Sequence, residues 1–152
     1  MPVDLPWVNQ AAAPGMVRAE LAWQASPGAA GAITSALAGW GRLRFEATEE
    51  ASPGCDAVRY SYTPDLGVFS AVTGANGDIL IPESRLRAAV TVAAATDLVA
   101  HARPGSTGSH PDPRGSLEEE IARLLGQPWD DELEPFRCAG DGAPVRWLHA
   151  TG

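Results

Sequence analysis

The stretch QPWDDELEPFR, residues 127–137, holds four carboxylates: Asp130, Asp131, Glu132 and Glu134. Paired carboxylates can work as general acid and base, or as oxygen ligands to a divalent cation. Calcium loops need a fixed alternation of ligands around a central glycine, and this stretch has none. The same residues also have a structural use. If Asp130 caps a short helix, the acids behind it satisfy free N–H groups and complement the positive helix end. Trp129 and Phe136 would then anchor the segment in the core, and Pro135 would end it. Seven of the nineteen acids fall between Glu118 and Glu134. The stretch therefore reads as an ordered acidic surface, solvated or presented to a partner, with Trp129, Asp130, Asp131, Glu132, Glu134 and Arg137 as candidate partner-binding residues. The alternative is a small-molecule or enzymatic site between the sheet and this segment, formed by Arg59, Tyr62, Glu134 and His149.

The other reactive side chains form no catalytic pattern. His101, His110 and His149 are scattered, with no HExxH and no helical pair. Cys55 and Cys138 make no CxxC and read as free thiols. TGANGD and AGDGAPVRW read as turns, since neither contains a phosphate-binding signature. Ser26, Ser35 and Ser61 lie outside any GxSxG context. Tyr60 and Tyr62 share one face of a strand, a spacing that suits cross-strand packing. No catalytic residue, metal ligand or cofactor is assigned.

Composition narrows the class. At 152 residues the chain reads as a single domain, residues 1–152, able to bury a core without staples. A net charge of −8, with eleven arginines and no lysine, disfavours nucleic acid and anionic membranes as partners. No apolar run is long enough to span a bilayer, and the N-terminus lacks the pattern of a signal peptide. A cytoplasmic protein is the expectation.

The elements that must position these residues follow from periodicity. Val3, Leu5 and Trp7 alternate as a short edge strand. Met16 to Gln24 alternates as a longer one, with Val17, Ala19, Leu21 and Trp23 on one face. Ser26-Pro27 predicts a helix start, with Ala30, Ile33, Leu37 and Trp40 inward. Arg42 to Glu50 predicts a strand with Leu43, Phe45 and Ala47 inward and Arg44, Glu46 and Thr48 outward. Val58 to Thr63 and Val68 to Thr73 are strands joined by PDLG, and Asn76-Gly77 turns the chain into Ile79 to Ile81. Pro82 opens a long helix with Leu86, Val90 and Ala93 or Ala94 inward. Residues 103–115 read as a flexible internal loop. Ser116 and Glu119 form a capping box ahead of Leu117, Ile121, Leu124 and Leu125, and Gly126 stops that helix. Val145 to His149 reads as a last strand. The order predicts an α+β fold, an antiparallel sheet with helices packed on one face.

Five strings in this order, RAELAWQ, LAGWGRLRFEATEE, RYSYTPDLGVFSAVTG, GDILIPESRLRAAV and QPWDDELEPFRCAGDGAPVRWLH, resemble DUF3145, an actinobacterial family of unknown function. The resemblance implies that a leading strand and helix usual in the family are missing here. Met1 would then be a mis-assigned start, or the chain a fragment. With that unit restored, the order becomes βαββαβ. The chain would thus be a ferredoxin-like half without its N-terminal strand and helix, followed by a C-terminal β-meander and two helices. Met16–Gln24 and Arg42–Glu50 would be left as open edges prone to pairing with another chain. The resemblance brings no catalytic residues, and it places the family's genes near those of fatty-acid synthesis. The expected function is a non-catalytic accessory or protein–protein interaction module, and the resemblance implies a connection with fatty-acid metabolism. Its partner would be an unknown protein or a second copy.

Overall fold

The computed structural model describes residues 5–101 and 113–137. Ten elements follow one another: β1 (Val8–Asn9), β2 (Val17–Arg18), α1 (Ala29–Ala38), β3 (Phe45–Glu49), β4 (Ala57–Thr63), β5 (Gly67–Thr73), β6 (Ile79–Leu80), α2 (Glu83–His101), α3 (Pro113–Leu124) and α4 (Gln127–Arg137). β3 to β6 form one antiparallel sheet in chain order, while β1 and β2 form a separate two-stranded ribbon. The α+β class and the meander are as the sequence predicts. Short turns fix the meander: the β4–β5 connection is held by Leu66 N–H donating to Thr63 Oγ1 at 3.1 Å. The predicted loop 103–115 and the strand at 145–149 fall largely or wholly outside the described residues.

The helices cover both faces of the sheet, not one. Successive strand side chains point to opposite faces, so the partners of two neighbouring residues locate the two layers. Arg59 bonds to Asp130 of α4. Tyr60, next in the strand, points at α1, where a Cβ added to Gly31 would lie 3.0 Å from its hydroxyl. The α1 face carries Phe45, Ala47, Glu49, Tyr60 and Tyr62, with the Phe45 and Tyr62 rings stacked 5.2 Å apart. The α4 face carries Glu46, Arg59, Thr63 and Phe69. The core lies on both sides of β4: Ala30, Ala47 and Tyr62 are buried on one, Phe69, Ala71 and Leu133 on the other.

Several predicted elements differ. Met16–Gln24 is extended in a ladder only at Val17–Arg18, paired to Asn9 and Val8. Val17 and Leu21 are each 54% exposed, so the alternation there marks no buried face. A strand needs a backbone partner as well as alternation, and β2 does not reach the main sheet. The ββαβ order expected without the leading strand and helix is present, but β1 and β2 form a ribbon apart from β3, so among the described residues these strands make no common ferredoxin-like sheet, and the two expected open edges are not paired with each other. α1 begins at Ala29 with Gly28 as its N-cap, so Ser26 does not cap it through its side chain. Trp40 lies beyond the helix and is 68% exposed. In α2 the buried seam is Ala89 and Ala93, while Leu86 and Val90 are exposed, because α2 packs mainly on α3 and only small residues allow close approach. α3 starts at Pro113, which puts Ser116 inside the helix and removes the capping box. Gly126 does stop α3, in the left-handed conformation at φ +79°.

Candidate functional site

The acidic segment forms the helix α4, laid across β3 and β4. It begins at Gln127, so Asp130 lies within the first turn and does not cap it. Pro135 sits inside the last turn and does not end the helix. Trp129 fixes its N-terminal half: the indole stacks on Phe69 at 5.1 Å between centroids, and Nε1–H donates to the Gly67 carbonyl at 2.9 Å. Leu133, one turn on, is buried beneath the helix.

Charges then lock the rotation of α4. Arg59 and Arg137 alternate with Glu46 and Asp130 in a closed ring. Arg59 Nη2 donates to Glu46 Oε1 at 2.9 Å and to Asp130 Oδ1. Arg137 donates to Glu46 through Nε at 2.8 Å and also through Nη2, and to Asp130 Oδ1 at 2.6 Å. Glu134 joins at 3.2 Å from Arg137 Nη1. A second cluster lies beside the first. Glu132 accepts from Thr63 Oγ1 at 2.7 Å and from Arg44 Nε at 3.3 Å, and the Arg44 guanidinium lies 5.0 Å from the centre of the Phe136 ring. The ribbon completes the clamp at the helix C-terminus. Gln10 Nε2 donates to the Phe136 carbonyl at 3.0 Å, and Arg18 Nη1 to that of Arg137 at 3.3 Å.

Burial works to raise the Asp130 pKa, but hydrogen bonds and charge from Arg137 and Arg59 outweigh it and hold the carboxyl below its ordinary value. Hydrogen bonding to Glu46, with Asp130 behind it, overcomes burial and pushes the Arg137 pKa further up. Asp130 and Arg137 therefore stay ionised across the neutral range. The Asp130 carboxylate accepts from two fixed guanidiniums, which leaves it a poor proton carrier near pH 7.

Of the six candidate partner-binding residues, Trp129, Asp130, Glu132 and Arg137 bond to the chain's own sheet. Glu134 is exposed and joined to Arg137, and Asp131 is exposed. Of the alternative pocket residues, Arg59 and Tyr62 stand on opposite faces of β4, and His149 lies outside the described residues. Sequence reading missed Glu46, Arg44 and Thr63 as the receptors of α4. Their outward strand positions opposite a run of acids were the available signal. It also missed Glu49, which caps α1 from β3, accepting from Gly28 N–H at 2.5 Å and Ala30 N–H at 2.9 Å. Those two backbone bonds hold its carboxyl pKa down. Among the described residues no three of His, Cys, Asp and Glu converge as a metal-ligating group. No described helix is long and apolar enough to cross a membrane.

The geometry defines a small α+β protein whose acidic helix is latched to its own sheet by arginines. The chain belongs to the DUF3145 family, described as a protein of unknown function, whose model matches residues 1–150. No curated protein and no solved structure matches it.

Proposed function

We propose that this chain is a non-catalytic cytoplasmic interaction module, docking onto a larger protein or onto a second copy of itself. One observation carries the reading: apolar side chains stand exposed on elements that the other described residues do not cover. On α2, Leu86, Val90, Val92, Leu98 and Val99 are all more than 40% exposed, and on the ribbon Trp7, Val8 and Val17 are more than 50% exposed. Scattered apolar exposure is normal, but such clustering on individual elements is the usual mark of a contact surface. The acidic helix supports the same reading from the other side, because Asp130, Glu132 and Glu134 are engaged by arginines. A connection with fatty-acid metabolism rests on the family resemblance alone. Affinity purification of the full-length protein from native cells, followed by mass spectrometry, tests the proposal. A stoichiometric protein partner, or a self-associated species by light scattering, is the expected result. A monomer that recovers no partner refutes it.

A further inference from the structure

The main sheet ends at β3, and among the described residues no strand pairs with its outer edge. An open edge is a row of unpaired N–H and C=O groups, ready to accept another strand. We propose that β3 pairs antiparallel with β3 of a second copy about a two-fold axis at Ala47, joining the two sheets into one. This deepens the interaction-module reading and rests on it. The argument is charge complementarity. A two-fold axis normal to the sheet must pass through one residue of the strand, so β3 offers five centres. Centred on Glu46 or on Glu49, a glutamate faces its own copy. Centred on Thr48, Glu46 faces Glu50. Centred on Phe45, three of the strand residues lie opposite Gly41 to Leu43, which are not in a strand. Centred on Ala47, Phe45 lies opposite Glu49, Glu46 opposite Thr48, and Arg44 opposite Glu50. That register sets no carboxylate against another and places opposite charges across the strand ends. The side chains of β3 leave its edge open: Glu46 is bonded to Arg59 and Arg137 on the α4 face, and Glu49 is engaged at α1.

The test is the oligomeric state of the full-length chain by light scattering over a concentration series, with the substitution Thr48→Glu. Thr48 is exposed and lies directly across from Arg59 on β4, so the variant has an internal partner for its new charge. The expected results are a dimer for the native chain and a roughly tenfold weaker one for T48E, since the two-fold axis repeats the Glu–Glu pair. Hydrogen exchange at the amides of β3 should slow as the dimer forms, which keeps the proposal testable if T48E folds poorly. A monomer at every concentration overturns it, and so does a dimer indifferent to T48E whose β3 amides exchange freely. Slow β3 amides in a monomer would assign the edge to another segment of the same chain, and that also overturns it. A monomer that still captures a stoichiometric partner from native cells refutes the self-pairing alone. A monomer that captures none refutes the interaction-module reading as well.

Discussion

Replacing Gly126 by alanine tests how the α3–α4 corner is seated on the sheet. Gly126 sits at φ +79°, and an added Cβ would lie 2.6 Å from Cε1 and 2.7 Å from Cζ of Phe69. Two costs follow. A non-glycine residue in the left-handed region costs about 1–2 kcal/mol. The steric cost is separate, because Phe69 is only 5% exposed and has Trp129 stacked on it, so the ring has little room to retreat. Overpacking of this kind costs about 1–3 kcal/mol. The sum is about 2–5 kcal/mol, a large share of a typical domain stability of about 5–15 kcal/mol. Gly54→Ala is the control: φ is +82° there and nothing lies within 4 Å of the added Cβ, so only the backbone cost applies. Urea denaturation followed by circular dichroism gives both values by linear extrapolation. G126A no more destabilised than G54A would mean that Phe69 does not stand against the corner, and the seating of α4 described above would fail with it.

Trp129→Phe keeps a ring against Phe69 but strands the Gly67 carbonyl, and should cost about 2 kcal/mol in the same denaturation assay. Asp130→Asn should destabilise the protein at neutral pH by an amount that shrinks in acid. The native carboxyl is held below its ordinary pKa, so its contribution is fully present above about pH 4 and is lost as pH falls through the lower folded value. Equal destabilisation by D130N at pH 7 and pH 2.5 would contradict the ring. Asp131→Asn, at an exposed position beside that ring, should leave the urea midpoint unchanged within error, because it alters no contact with the sheet.

The meander was legible because its signals are local. Alternation over Val58–Thr63 and Val68–Thr73, with PDLG and Asn76-Gly77 between strands, fixes the pairing at short sequence separation. Gly126 was legible for the same reason. The site was only partly so. The acids of 127–137 and the arginines Arg44 and Arg59 are visible as residue types, but Glu46 lies 91 residues from Arg137 and periodicity carries no information at that range. The same limit explains the caps. Ser26 has the local chemistry of an N-cap, yet α1 is capped by Glu49 from 21 residues away. Met16–Gln24 shows the opposite failure. Its alternation satisfies the local rule, but a ladder also needs a neighbour, and the sequence does not say which segment stands beside which.

The ring of Glu46, Arg59, Asp130 and Arg137 also bears on why α4 is so polar. A helix held only by Trp129 and Leu133 could roll about its axis with little loss of apolar contact. Ion pairs contribute modestly when exposed, and a buried pair is no more stabilising than well-packed apolar residues of similar size. What they supply is geometry: a guanidinium presents its donors in a fixed plane, so two arginines shared between two carboxylates admit one rotational setting of the helix. The aromatic anchor sets where α4 lies, and the charges set which side faces out. That division keeps Asp131 and Glu134 at the surface while Asp130 and Glu132 turn inward. An all-apolar replacement of the four ring residues should therefore keep or raise stability and lose the fixed orientation of α4, which would show as averaged or broadened Trp129 and Leu133 NMR signals under conditions where the fold remains intact. Sharp, single signals from such a variant would show that packing alone fixes the helix and would remove the role assigned to the ring.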